Sequence, residues 1–306
     1  SLGPELADGI PLTVFVEISD RGCLKKADCR FWPKDQWAGL WEILYHFKQT
    51  GFIEIKGMKY ISRWRYWNRS RRFAKKRETQ ECLFVSNFLK EGDTAVDIGA
   101  NKGAFTYLFS HLVGRSGAVY AFEPQPEMIT ELTKMAAAVR FKNISVHPIA
   151  LSDSPGEALL HVPSDHTCGS LETQHAGQKL TVRLERLDEY LDSFQPGGPI
   201  DFIKCDVEGH ELPVFQGAIQ TLQQHRPLLL FESFSSNKNQ RFANPVFDLL
   251  LEQGYEGFAF CGQELKKLDS LGVQDDCYNF VFLHRQRHSL LSLSPPYGVQ
   301  PPRRLS

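Results

Sequence analysis

No apolar run in this 306-residue chain approaches the roughly 18 residues of a membrane span, and no signal-peptide pattern opens it. Net charge is almost absent: Lys+Arg 35 against Asp+Glu 36 leave −1, so no global field favours nucleic acid or an anionic membrane. The cysteines Cys23, Cys29, Cys82, Cys168, Cys205, Cys261 and Cys277 are odd in number and scattered. None forms a C-x-x-C pair, so zinc is not suggested, a disulfide framework is not expected, and a reducing cytoplasm is the simplest compartment. The dinucleotide fingerprint G-x-G-x-x-G is missing too, which disfavours a nicotinamide dehydrogenase.

What is present suits a packed α/β fold. Hydrophobic residues make up 42% of the chain, enough for a full core and one large domain with an extension. The organising stretch is Thr94-Ala-Val-Asp-Ile-Gly-Ala-Asn-Lys-Gly103, which reads as an apolar strand, a glycine turn and a helix from about Ala104. Glycine serves where the backbone needs positive φ or a ligand comes close, and the helix start adds unpaired N–H groups. Asp97 closes that strand. A second apolar strand, Ala118–Phe122, ends at Glu123 before Pro124. An acid about 20–25 residues past the turn, at the end of the second strand, is where such sheets hold a ribose diol. An acid within Val-Asp-Ile-Gly suits a cationic ligand, so the pair describes a pocket for a positively charged adenosine derivative.

Further elements follow in doubly wound order: helices at 80–89, 104–113 and 126–138, and a third strand at Asn143–His147. Glu157–Val162 and Lys179–Leu184 read as strands flanking a loop, 163–177; His161, His166, Cys168 and His175 lie in or near it. Their irregular spacing argues against a metal site and for a substrate loop. After a short helix at 187–191, Ile200–Asp206 is the fourth core strand and leads into Asp206-Val-Glu-Gly-His-Glu211. Four ionisable groups in six residues exceed what a plain turn needs. Pro227–Glu232 is the fifth strand, placing Glu232 beside Asp206 at the strand ends that border the ligand crevice. A helix at 244–253 and strands at 254–260 and 277–283, joined by a polar turn region, complete the pattern.

Val-Asp-Ile-Gly-Ala-Asn-Lys-Gly, Ala-Phe-Glu-Pro, Ala-Leu-Ser-Asp and Ile-Lys-Cys-Asp-Val-Glu-Gly-His-Glu together resemble the FkbM family of S-adenosylmethionine-dependent methyltransferases, over about Phe84–Phe231. The resemblance implies a class I, Rossmann-like fold: a doubly wound, seven-stranded, mostly parallel sheet with one antiparallel strand. It implies S-adenosylmethionine as cofactor, held by Asp97, Gly99, Ala100, Asn101, Gly103, Glu123 and Pro124, with Ser152 and Asp153 bordering the adenine. For a hydroxyl acceptor a base must take the proton; Asp206 and His210 are the candidates, with Glu208 and Glu232 orienting the acceptor. The family commonly has a small residue at the place of His210, which is therefore a base peculiar to this chain or a loop residue. Catechol-type O-methyltransferases resemble the Asp206–Glu232 arrangement and hold magnesium there, but Ser233 stands where they add Asn. No metal ligands are assigned, and a divalent metal is not favoured.

The expected organisation is an extension at 1–81, a methyltransferase domain at 82–286 and a Pro-rich tail at 287–306. Within the extension, Pro11–Ile18 reads as a strand and 35–49 as a helix with a packing face. Lys56–Arg77 contains no acid, and Tyr60, Trp64, Tyr66, Trp67 and Phe73 are interleaved among its cations. Such a segment suits a phosphate- or sugar-rich partner, or is a solvated basic helix. The expected acceptor is a sugar, glycan or natural-product hydroxyl. The alternatives are RNA methylation with the basic segment as tether, and a non-catalytic binding module.

Overall fold

The structure, a computed structural model, describes residues 15–18, 24–28, 66, 70, 78–139, 141–163, 169–172, 177–194, 197–233, 244–262, 264–271 and 277–288. The chain divides into two compact units, Ser1–Ile61 and Ser62–Ser306. In the first, β1 (Phe15–Ile18) pairs antiparallel with β2 (Leu24–Asp28), Phe15 opposite Asp28. β1 occupies the second half of the strand expected from Pro11. The helix expected at 35–49, the basic segment apart from Tyr66 and Ser70, and the tail beyond 288 lie outside the described residues.

The second unit is built on β3 (Thr94–Ile98), all five of whose residues are buried. A strand covered on both faces must be continuously apolar, and Asp97 is the exception that function has to explain. β3 lies between β4 (Ala118–Phe122) and β9 (Phe202–Cys205), parallel to both. Beyond β4 lies β5 (Ile144–His147), and beyond β9 lies β10 (Leu228–Glu232), both also parallel. The ladder then reverses: β13 (Asn279–His284) pairs antiparallel with β10, β11 (Tyr255–Cys261) with β13, and β12 (Glu264–Lys267) with β11.

The resemblance implies seven strands with one antiparallel; among the described residues the sheet has eight, in the order β12-β11-β13-β10-β9-β3-β4-β5, and β13 and β12 both run against the rest. The addition is β12. Glu264-Leu-Lys-Lys267 is a short charged edge strand with little burial, so it carries no apolar pattern and reads as a turn. A smaller three-stranded sheet holds β6 (Ala150–Leu151), β8 (Gly177–Glu185) and β7 (Gly156–Pro163), in that order. β7 and β8 are the expected hairpin, and the described part of the intervening segment is 169–172.

The two faces follow from alternation along the strands. Ile203, Leu229 and Phe231 point to one side, into a core with helices α4 (Leu187–Phe194), α5 (Glu211–Gln216), α6 (Ile219–His225) and α7 (Pro245–Glu252). Phe202, Leu228 and Leu230 point to the other, against α1 (Thr79–Phe88) and α2 (Ala104–Val113). The remaining helix, α3 (Pro126–Ala138), packs Leu132 and Met135 with Ala100, Ala121 and Tyr66. Its boundaries are those expected, Pro126 being tolerated in the first turn because its missing N–H has no helical partner there. Helix α7 is capped by Asn244, whose Oδ1 accepts from the Val246 N–H at 2.9 Å.

One cysteine pair departs from expectation. Cys261 and Cys277 are disulfide-bonded, with Cα atoms 5.2 Å apart. They are 16 positions apart in sequence, but β11 and β13 are antiparallel neighbours, and that pairing brings the end of one beside the start of the other. Cys82 and Cys205 are free and buried. Among the described residues no helix is long and apolar enough to cross a membrane.

Candidate functional site

The carboxyl ends of β3, β4, β9 and β10 surround a cavity of about 710 Å³. Its first wall is the glycine turn. Gly99 (φ +74) and Gly103 (φ +75) hold left-handed backbone, and a Cβ on Gly99 would lie 1.8 Å from the Asp206 carbonyl oxygen. Glycine there lets the two motif loops touch. A Cβ on Gly103 would strike Met135 and Leu132, so this glycine seats α3 against the turn. The Gly99 and Ala100 N–H groups both donate to the Phe122 carbonyl at 3.0 Å, tying the turn to the end of β4.

Two acids are set into this wall. The Asp97 carboxylate is 1% exposed; Oδ2 accepts from the Thr106 hydroxyl at 2.5 Å, while Oδ1 has no hydrogen-bond partner among the described residues. Burial raises its pKa, with the Lys204 charge opposing. Glu123 is also buried; its oxygens accept from the Asn101 N–H at 2.8 Å and the Gln125 N–H at 2.9 Å. Burial pushes it up to about 7 in spite of those bonds. Asp97, Gly99, Ala100, Asn101, Glu123 and Pro124 all line the cavity.

The opposite wall is the loop after β9. Asp206, Glu208 and His210 line the cavity, together with Glu232 at the end of β10. Lys204 Nζ donates to Asp206 Oδ2 at 2.8 Å and lies 4.8 Å from the centre of the Phe105 ring. Burial pulls the Lys204 pKa down, but Asp206, Asp97 and Glu78 outweigh it and leave the ammonium firmly charged. Burial, then the charges of Asp206, Glu208 and Glu78, push Glu232 up to about 8. Glu208 is held at φ +54, a conformation unfavourable outside glycine. Glu211 explains one of the four ionisable groups structurally: its Oε1 accepts from the Val207 and Gly209 N–H groups at 3.2 Å and so closes the turn.

His210 is bonded through both ring nitrogens, Nδ1 to Glu172 Oε1 at 2.7 Å and Nε2 to Ser152 Oγ at 3.0 Å. It thereby joins the loop to the small sheet, as does Ser170, whose hydroxyl donates to the Glu208 carbonyl at 2.9 Å. Ser152 is buried against His210 and Asp153 is exposed; the small sheet reaches the cavity through Ile149, Ala150 and Leu151. Of the histidines expected around the substrate loop, His161 is buried on β7, and His166, Cys168 and His175 lie outside the described residues. Among the described residues no group of three or more His, Cys, Asp or Glu gathers as metal ligands. Ser233 Oγ accepts from Asn244 Nδ2 at 2.6 Å.

Sequence reasoning misses Glu78, Gln125, Leu171 and Asn279, which also line the cavity. Glu78 precedes α1 as the first acid after the basic run, a position with no motif around it. Asn279 opens β13 directly across from Glu232 in the ladder, and its Nδ2 donates to Glu81 Oε1 at 2.8 Å. Only the pairing of a late strand with β10 reveals it.

A family model described as the methyltransferase FkbM domain matches residues 97–256. The hexuronic acid methyltransferase AglP of Haloferax volcanii is 29% identical over 134 residues, 44% of this chain and 53% of that protein. A protein-L-isoaspartate O-methyltransferase of Fervidobacterium nodosum is 30% identical over 97 residues, 32% of this chain and 47% of that protein. The chain thus spans about half the length of the curated relatives it matches. The crystal structure of an FkbM methyltransferase from Methylobacillus flagellatus aligns with TM-score 0.43 and 18% identity, covering 62% of this chain and 43% of that one.

Proposed function

We propose that this chain, which belongs to the FkbM family of S-adenosylmethionine-dependent methyltransferases, methylates a hydroxyl of a sugar, glycan or natural-product acceptor. The observation that carries this reading is the placement of Asp206 and Glu232 at adjacent strand ends, in one cavity with the Asp97–Gly103 turn and Glu123. The Haloferax relative, a hexuronic acid methyltransferase, supports a sugar acceptor.

Two features support a fit for the cofactor. Asp97 Oδ1 is a buried acceptor without a partner among the described residues, and the glycine turn presents bare backbone beside it. When bound, S-adenosylmethionine supplies an electrophilic methyl group on a cationic sulfur. In this assignment Asp97 and Glu123 take hydrogen bonds from the cofactor's polar groups, and Gly99, Ala100, Asn101, Gly103 and Pro124 shape its bed. Ser152 supports the neighbouring wall through His210, and Asp153 borders it from outside.

Glu232 takes the proton of the acceptor hydroxyl, since a base works best when its pKa lies near the operating pH. Asp206, clamped by Lys204, orients the hydroxyl, and Glu208 extends the same wall. His210, with both nitrogens engaged, positions the loop instead of moving protons. A compartment is proposed on the same footing: the Cys261–Cys277 bond favours an oxidising one over the reducing cytoplasm suggested by cysteine spacing.

The test is transfer of labelled methyl from S-adenosylmethionine into fractionated cell extract, with and without a chelator. Label in O-methyl sugars or a small-molecule fraction is the expected result. Label confined to RNA or protein overturns the acceptor assignment, and loss of transfer on chelation assigns a divalent metal to the reaction.

A further inference from the structure

The acceptor side of the cavity is completed by residues outside the family-matched segment 97–256. Glu78 comes from the start of α1 and Asn279 from the start of β13. Asn279 stands across the ladder from Glu232, and Glu232 lies one residue beyond the Phe231–Cys205 pair, beside Asp206. Glu81 holds the Asn279 amide. Side chains at these positions therefore converge from three adjacent strands and one helix.

The charges lining the cavity are unequal. Carboxylates come from Glu78, Asp97, Glu123, Asp206, Glu208 and Glu232, and lysines from Lys102 and Lys204. His210 also lines it, already bonded to Glu172. Lys204 is committed to Asp206, and Lys102 is exposed at the glycine turn. An incoming anion would meet the acidic side chains of Glu78, Glu208 and Glu232, while Lys204, the buried lysine among the described lining residues, is already bonded to Asp206. Like charges brought together in a partly desolvated site are strongly unfavourable. Carboxylates and an amide suit hydroxyl and ammonium donors equally well.

We infer that the unit methylated by this chain carries no negative charge: it is a neutral or amine-bearing polyol and not an uronate, selected by Glu78, Glu232 and Asn279. The inference rests on the methyl-transfer reading and narrows its acceptor. The raised pKa values of Glu78, to about 7, and of Glu232, to about 8, are the mark of burial and crowding that a further anion would worsen. Burial acts on both; on Glu78 the Lys204 charge opposes it.

The experiment labels cell extract at pH 8 with S-adenosylmethionine carrying a tritiated methyl group, using the full chain and Glu78→Gln. The labelled product is hydrolysed to the unit that bears the methyl group, and that unit is passed over an anion exchanger. Glu78 makes no side-chain cap bond to α1, so the substitution leaves the helix start in place. Label in the flow-through is expected for the native chain, and the retained share should rise about tenfold in Glu78→Gln. Label retained as a methylated uronate overturns the inference while leaving sugar O-methylation intact. An unchanged partition in Glu78→Gln overturns the role of Glu78. Flow-through label that is not a sugar derivative overturns the sugar reading but keeps the charge rule, and an extract that takes up no label overturns both.

Discussion

Asp97 and Lys204 are partners across the parallel ladder of β3 and β9, and both are buried. The ammonium donates to Asp206 at 2.8 Å, and its charge acts on Asp97 as well. Removing one member of a buried ionic set leaves the others uncompensated, which typically costs about 3–5 kcal/mol. Lys204→Met should lower the denaturant midpoint accordingly. Lys204→Met with Asp206→Asn should recover part of that loss. Equal stability of the single and double variants would show that the two side chains are not coupled.

Asp97→Asn should weaken S-adenosylmethionine binding about 10- to 100-fold, because a hydrogen bond to a charged group contributes about 1.5–3 kcal/mol. Titration calorimetry of the folded variant reads this directly. Asn keeps the size of the side chain, and its retained carbonyl can still accept from Thr106. Unchanged affinity would remove Asp97 from the cofactor site.

Elements whose burial is two-sided or cleanly periodic are legible in the chain. Val96-Asp-Ile, Leu228-Leu-Leu-Phe and the helix from Pro126 to Ala138 stand where their patterns put them. Features that depend on which strands become neighbours are not. β12 is charged, Asn279 reaches the site through its pairing with β10, and Cys261 meets Cys277 through β11 and β13. The role of Glu211 is hidden for a related reason. Its motif reads as chemistry, but its carboxylate is used up on two N–H groups of its own turn.

The Cys261–Cys277 bond closes a segment of 16 residues that contains β12, and a loop of that length is worth about 3 kcal/mol by chain entropy. Cys277→Ser, or reduction of the native chain, should lower the melting temperature, and reductant should then have no further effect on the variant. If thiol titration finds both cysteines free in native protein from its own cells, the oxidising compartment is excluded.

Stability should also fall with pH. Glu78, Glu123 and Glu211 are pushed up to about 7 and Glu232 to about 8, from an ordinary 4.5. A carboxyl raised on folding binds its proton more tightly in the native state. Its contribution is therefore complete below about pH 4.5 and lost as pH rises through 7 to 8. The denaturant midpoint of the cofactor-free chain should decline above pH 6.5, where the histidines whose pKa burial lowers, His147, His225, His284 and His288, no longer oppose the carboxyls. A midpoint that rises across that window would mean these carboxyls are ionised without cost.

The same raised acid gives the chemistry its pH signature. Glu232 can accept a proton only when ionised, so kcat should climb with pH and level off above about 8. Glu232→Gln should lower kcat by about 10²–10⁴-fold and flatten the profile, with cofactor affinity nearly unchanged. Asp206→Asn should lower kcat while keeping the limb, since orientation is lost but the base remains. If the limb instead survives in Glu232→Gln and disappears in Asp206→Asn, the two acids exchange roles, and the clamp by Lys204 must open during turnover.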